Sequence, residues 1–550
     1  MSATIRSAAA TLLILTTLAI TVWAQRGTPR EITSKDLLDG LKNAGRWLTY
    51  SGDYTSRRYS PLKQITPGNV QNLAVKWTFQ AEDMPRGRGF TASPLVVDGV
   101  IYMTGNANIA WAIDARTGQQ LWRYKRVLPT GLSYGGGNTG NRGFAILGDR
   151  LFMGTLDAHL IALDRNTGAV LWDVVIDDYK LGHAALSAPL VVKDKVIIGN
   201  SGGDMASRGF LDAYDPKTGA RTWRFYTIPA AGEPGSETWS SPDVLPRGGG
   251  AMWVSGSYDP DLNLLYWGTG NPNPNYFGDN RLGDNLYTAS IVAVHADTGK
   301  LKWHYQFTPH DTHDWDANQI PILTDLTIGG QRHKVVMVAN RNGFFYTLDR
   351  TNGKLLVAKP YTATQWAREI GPDGRPIVLN TGMTPTGQPT VPTPCVPELR
   401  GGTNYNPPSY DPNLALFFVM ARESCAVYTP QDLPVQSGRL TNGGTMRTQP
   451  DPSYSALRAL DPKTGDLRWE FRFPSLSLAG VMSTASGLVF AGDNEGNLNA
   501  FDSKTGKRLW FTPMGSPIYG AAATTFMLDN KQVVLIPAGL KLTAFALTGK

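Results

Sequence analysis

The 550-residue chain is longer than one compact two-layer core supports, so it forms either several domains or one large closed architecture. Its 59 Gly, 37 Pro and 15 Trp favour short strands and many turns over long helices. The formal charge of +7, from 52 basic and 45 acidic side chains, is scattered, with no Lys/Arg block or aromatic-interleaved basic stripe, which argues against nucleic-acid binding.

The N-terminus, MSATIRSAAATLLILTTLAITVWAQRG, places Arg6 ahead of an apolar run that exits through Val22, Trp23 and Ala24. That pattern reads as an export signal over residues 1–24, cleaved after Ala24, and puts the remainder in the periplasm. A retained anchor helix is the alternative, since Ser7 to Ala24 is about long enough to cross a thinned bilayer.

One pattern then recurs along the chain: an apolar pair, Asp, a few turn residues, Thr-Gly, and a short run ending in Trp. The copies are AIDARTGQQLW to Trp122, ALDRNTGAVLW to Trp172, AYDPKTGARTW to Trp223, AVHADTGKLKW to Trp303, ALDPKTGDLRW to Trp469 and AFDSKTGKRLW to Trp510. In a further copy, TLDRTNGKLLV, Val357 stands where the Trp would be, and NVQNLAVKW to Trp77 reads as one more outer strand. Asp opens the turn by accepting nearby backbone N–H groups and Gly supplies a positive φ, so each copy predicts strand, tight turn, strand.

Intervals of 50, 51 and 41 residues between neighbouring Trp positions match the four-stranded blade of a β-propeller. The predicted fold is all-β, an eight-bladed propeller over residues 35–550, with seven blades compatible with the spacing. Longer gaps before Trp303 and before Trp469 leave room for inserted loops or a degenerate blade. Recurring at one place per repeat, the Trp side chains are expected to pack between blades, each burying about 200 Å². Function is then expected where the repeat is broken.

The main break is HDTHDWD, His310 to Asp316, with three Asp and two His in seven residues. It is flanked by YWGTGNPNPN (Tyr266 to Asn275) and VANRNGFFYTLDR (Val338 to Arg350), which offer an amide ligand and an arginine beside the carboxylates. Taken alone, HDTHDWD also reads as a structural calcium loop or a solvated turn. Further on, Cys395 and Cys425 are the only cysteines; in an exported protein they predict a disulfide, and they leave no CxxCH for a covalently attached haem of the c type.

The ordered motifs WLTYSGDYTSRRYSPLKQITPGNVQNLAVKW, GTLDAHLIALDRNTG, GSYDPDLNLLYWGTGNP, NRNGFFYTLDRTNGKL and STASGLVFAGDNEGNLNAFDSKTGKRLW resemble the pyrroloquinoline-quinone (PQQ) dependent alcohol and sugar dehydrogenases over nearly the whole mature chain. The resemblance implies an eight-bladed propeller holding PQQ, a flat ortho-quinone with three carboxylates, and a hard cation on oxygen ligands. It implies Trp253 as the floor under the quinone, Arg142 and Ser201 at its carboxylates, Arg341 near its oxygens and Asn404 as a further contact. For the metal it implies Asp204, where the family usually has glutamate, with Asn271 and Asp314. Asp314 also matches the catalytic base. Asp316 is similar to the additional ligand of lanthanide-using alcohol dehydrogenases, although the glucose-oxidising branch, which uses calcium or magnesium, is similar here too; calcium is the leading expectation. His310 and His313 match no metal ligand, and neutral imidazole suits hard cations poorly.

The chain departs from the family pattern in three places. Gly136-Gly137 stand where the alcohol dehydrogenases carry an adjacent cysteine pair, Thr91 stands for a usual glutamate and Leu478 for a tryptophan. These losses point away from methanol or ethanol and towards sugar, polyol or bulkier alcohol substrates. They also keep open a degenerate dehydrogenase, or a non-enzymatic propeller that binds protein partners. For the enzyme, the implied electron acceptor is a soluble cytochrome c, and the +6 balance left after loss of Arg6 with the signal suits an acidic partner surface.

Overall fold

The computed structural model describes residues 30–85, 89–132, 140–379, 389 and 395–548; residues 1–24, expected to be an export signal, and Gly136-Gly137 lie outside the described residues. Among the described residues, the strands form seven four-stranded sheets and one five-stranded sheet, with a separate two-stranded ribbon, Ala367–Ile370 with Pro376–Val378. A representative sheet runs Leu95–Val97, Val100–Thr104, Ile109–Asp114, Gln120–Lys125, each strand antiparallel to the next. The two ends of the chain meet in one sheet, where Leu73–Gln80 pairs antiparallel with Lys541–Leu547. This β-propeller is therefore tied shut by backbone hydrogen bonds between its first and last long strands, so no long edge is left open there.

The repeats form the turns between the two outer strands. Asp114 Oδ1 accepts the N–H groups of Arg116 at 2.7 Å and Thr117 at 3.1 Å, and the same arrangement recurs at Asp164, Asp215 and Asp502. Each turn ends on a glycine over which the Trp of the preceding sheet lies. At Gly118, whose φ is +74°, an added Cβ would stand 2.6 Å from the Trp77 ring, and at Gly168 2.8 Å from Trp122. The indole N–H groups are satisfied across the same seam, Trp77 Nε1 donating to Ala115 O at 2.9 Å and Trp122 Nε1 to Arg165 O at 2.8 Å. Trp303 and Trp469 do the same to Arg350 O and Ser503 O. Where Val357 replaces the Trp, the next turn glycine, Gly465, rests instead on the Lys359 side chain.

The longer intervals hold insertions, not a lost sheet. The interval ending at Trp469 contains the ribbon and a sheet whose hairpin is drawn out to Leu416–Pro430 and Gly444–Leu460. Cys395 and Cys425 are disulfide-bonded, fastening the segment that begins at Cys395 to this hairpin.

The segment from Trp47 to Ser60 runs along the first strands of six sheets. It bonds Val96 through Trp47, Val191 through the Tyr54 hydroxyl, Tyr258 through the Tyr54 carbonyl, Leu323 through Thr55, Tyr410 through Arg57 and Ser483 through Arg58. Six sheets are thus pinned to one strap, and Tyr50 on that strap packs with Ala188, Val254, Ile320 and Tyr405, against which Trp253 rests. No helix among the described residues is long and apolar enough to cross a membrane.

Candidate active site

A cavity of about 210 Å³ is lined by Asp204, Asn271, Asp314, Asp316, Arg341, Trp253, Arg142 and Asn404, which arrive from sequence positions up to 262 residues apart (404 − 142). Of the residues expected to touch the cofactor or the metal, Ser201 stands outside the lining. It is fully buried, its Oγ accepting Leu186 N–H at 3.3 Å, and the two glycines after it form the wall.

HDTHDWD is folded around a side chain whose role the sequence does not disclose. Asp311, 1% exposed, accepts His313 N–H at 3.0 Å through Oδ1 and Trp315 N–H at 2.8 Å through Oδ2. The turn this enforces puts Asp314 at φ +64°, a conformation that costs a non-glycine residue free energy and concentrates at functional positions. His313 stacks on the buried Trp315 with ring centroids 4.1 Å apart, and His310 donates through Nδ1 to Gly283 O, so both imidazoles serve the loop.

Arg281, fully buried, ties this loop to the GTGNPNPN turn. Its Nη2 donates to Asp311 O at 2.6 Å and Pro274 O at 2.9 Å, and Nη1 donates to Asn285 Oδ1 at 2.8 Å. Across the same gap, Asp316 Oδ1 accepts Asn271 N–H at 3.0 Å. Both side-chain hydrogens of Asn271 are engaged, by Pro272 O and Asn275 Oδ1, which leaves its Oδ1 as the group presented to the cavity. Asn275 Nδ2 in turn donates to Asp204 Oδ1 at 3.2 Å.

Arg341 spans the acids. Its Nη2 lies 2.6 Å from Asp316 Oδ2, and Nη1 donates to Asp314 O at 2.6 Å with Asp314 Oδ1 at 3.4 Å. It also donates to Leu399 O at 3.0 Å and to Asn404 Oδ1 at 3.3 Å. Arg142 lies against aromatic faces, 4.6 Å from the ring centroids of both Trp253 and Tyr405.

One guanidinium does not neutralise three buried acids. Burial, and then the neighbouring Asp316 charge, pushes the Asp204 carboxyl up to about 6 despite Arg341. Burial, and then Asp204, raises Asp314 well above the usual carboxylate range. Unpaired acidic charge turned into a cavity suits a hard cation. Among the described residues, however, no three His, Cys, Asp or Glu side chains are gathered closely enough to hold an ion by themselves. A cation here needs Asn271 Oδ1 and oxygens from a bound partner as well. An anionic partner suits the same walls, since the buried Nε atoms of both Arg142 and Arg341 have no hydrogen-bond partner among the described residues.

Two of the three departures are also placed. Leu478 lines the cavity, and Thr91 is buried with its Oγ1 donating to Asn141 O at 3.2 Å.

Residues 47–363 match the family described as glucose/ethanol/alcohol dehydrogenase, beta-propeller domain, and residues 437–550 match the model described as outer membrane protein assembly factor BamB. The chain is 39% identical over 517 residues to the quinohemoprotein alcohol dehydrogenase ADH IIB of Pseudomonas putida, covering 90% of this chain and 73% of that protein. The chain belongs to the quinoprotein alcohol dehydrogenase family. Its similarity extends to the quinoprotein alcohol dehydrogenase PedH of Pseudomonas putida, 35% identical over 534 residues and covering 92% of this chain and 88% of PedH. Among solved structures, a europium-containing methanol dehydrogenase superposes with a TM-score of 0.87 at 32% identity, covering 93% of this chain and all of that one. Members of this quinoprotein family are PQQ-dependent oxidoreductases acting on CH–OH donors, and the gathered acids, arginines and Trp253 lie inside its propeller.

Proposed function

We propose that the protein is a periplasmic, PQQ-dependent dehydrogenase that oxidises an alcohol, polyol or sugar hydroxyl on an eight-bladed propeller spanning residues 35–550. The observation that carries this reading is the meeting of Asp204, Asn271, Asp314, Asp316 and Arg341 with Trp253 in one cavity. A propeller serving only as a scaffold has no use for buried acids raised in pKa, which cost stability and accumulate where chemistry is done.

In this reading Trp253 supports the flat quinone, with Arg142, Asn404 and the wall after Ser201 holding its carboxylates. Asp204, Asn271, Asp314 and Asp316 hold calcium, with a lanthanide as the alternative that the additional Asp316 favours. Bound there, PQQ and its cation supply an electrophilic quinone carbon as hydride acceptor. Asp314 would take the hydroxyl proton of the substrate as hydride leaves the substrate carbon bearing that hydroxyl, and its strained backbone fixes the carboxyl for that transfer. Arg341 holds Asp314 by its carbonyl. Electrons then pass to a soluble cytochrome c, the acceptor that the family resemblance implies.

The test is a titration of the purified protein with PQQ, followed by tryptophan fluorescence, in calcium, in lanthanum and in chelator. Saturable quenching that requires a metal and weakens in Asn271→Ala is the expected result. Failure to bind under all three conditions overturns the reading.

A further inference from the structure

Three carboxylates and three guanidiniums line the cavity, and the guanidiniums are not equivalent. Arg341 is committed to Asp314, Asp316 and Asn404, and Arg142 is buried between two aromatic rings. Arg400 is exposed at the rim and has no ion-pair partner among the described residues. A solvated surface arginine would look the same from exposure alone; what distinguishes Arg400 is the rigidity of its mounting.

Its carbonyl accepts Asn404 Nδ2 at 3.1 Å, and the carbonyl before it, Leu399 O, accepts Arg341 Nη1 at 3.0 Å. Gly401 N–H donates to Glu398 O at 2.7 Å and Gly402 N–H to Arg341 O at 2.9 Å. Gly401 has φ +69°, and a Cβ there would stand 2.4 Å from Arg341 O, so the turn lies directly on the Arg341 backbone. Arg400 is thereby carried on a tight turn fastened to the same arginine that holds Asp314. Leu399, Leu478 and Met205 line the same cavity with apolar surfaces suited to a short carbon chain.

We propose that Arg400 selects alcohols bearing a carboxylate, so that the preferred substrates are hydroxy acids whose hydroxyl reaches Asp314 while the carboxylate pairs with Arg400. This inference rests on the proposed function, of which it names the substrate class. The guanidinium fork matches a carboxylate in a bidentate pair, and its charge offsets the repulsion that the acid cluster exerts on an anion.

The experiment compares 4-hydroxybutanoate with its neutral isostere 4-hydroxybutanamide on the protein loaded with PQQ and calcium, using a dye acceptor. Wild-type protein is expected to favour the acid in kcat/KM by about tenfold, the value of one charge-assisted contact, chiefly through KM. The preference should shrink as ionic strength rises. Arg400→Gln should collapse the ratio to near unity, and Arg400→Lys should retain part of it. Calorimetry with unreactive butanoate and butanamide should show the same order of affinity, independently of turnover.

An amide oxidised as well as the acid overturns the inference, and so does a ratio unchanged in Arg400→Gln. Weakened PQQ binding in Arg400→Gln at a constant ratio would reassign Arg400 to the cofactor. Absence of PQQ binding in the wild type would remove the proposed function itself, which the fluorescence titration reports separately.

Discussion

The Arg341 guanidinium lies 2.6 Å from Asp316 Oδ2 and bonds the backbone carbonyl of Asp314 at the same distance, so one side chain fixes both acids of a strained loop. Taking it away strands the acids. Arg341→Met should destabilise the protein by about 3–5 kcal/mol, the cost of breaking a buried pair from one side. Arg341→Lys keeps a charge but cannot fork across two acids, so it should recover much of that stability while turnover stays depressed by about a hundredfold. Thermal denaturation and steady-state turnover measured together check both halves.

Asp204 gives a pH dependence of defined sign. Its folded pKa, about 6, lies above the ordinary carboxylate value, so the folded state keeps a proton that the unfolded state has released. Stability of the cofactor-free protein should therefore fall as pH rises through the interval up to about 6 and stay lower above it. Carboxyls held low by partners, such as Asp157 beside Arg126, contribute the opposite slope, so the difference between wild type and Asp204→Asn is the quantity to measure. The variant should gain relative stability as pH rises from 4 to 7; a difference that is flat across that range overturns the assignment.

Arg281 is expected to matter although it does not reach the cavity. It joins the loops of Pro274 and Asp311, and Arg281→Met leaves two buried carbonyls short of a donor, at about 1–3 kcal/mol each. Circular dichroism melts should show this loss. PQQ affinity should weaken in the same variant, because Asn271 and Asp314 are no longer held in register, and Arg281→Lys should restore part of both.

The difference between Arg341 and Arg281 shows how far the residues alone could be read. Thr-Gly turns and their Trp partners are local signals repeated at fixed spacing, so the strands, the turns and the packing of Trp77 on Gly118 follow from short-range chemistry. Arg341 was found because the NRNG motif matches the family pattern. Arg281 sits in FGDNRLGDN, which reads as a turn-rich loop. Its value comes from contacts to Pro274 and Asp311, 7 and 30 residues away, that no periodicity encodes. Asp311 is hidden for another reason: three aspartates in HDTHDWD look alike in sequence, and only the fold shows Asp311 accepting the loop's own N–H groups at His313 and Trp315 while Asp314 and Asp316 line the cavity. Ser201 follows from the family pattern as Arg341 does; its motif lies against the cavity, and its Oγ accepts Leu186 N–H.

The disulfide provides the last test, because its consequences run from stability to the site. Cys395–Cys425 closes a separation of 30 residues, which corresponds to about 3.6 kcal/mol in the chain-entropy view. Beyond that general effect, the segment it fastens carries Glu398, whose carboxylate accepts Arg422 Nη2 at 2.7 Å, then Leu399, whose carbonyl accepts Arg341, and Asn404. Loosening the segment should therefore loosen Arg341, and with it the cofactor cavity. The double variant Cys395→Ser with Cys425→Ser is expected to melt at lower temperature and to bind PQQ more weakly in calcium. The turns around Trp122 and Trp172, on distant sheets, should keep wild-type amide-exchange protection. Weaker PQQ binding with those turns still protected would show that the disulfide acts through the Arg341 wall; uniform loss of protection would show that it acts only on global stability.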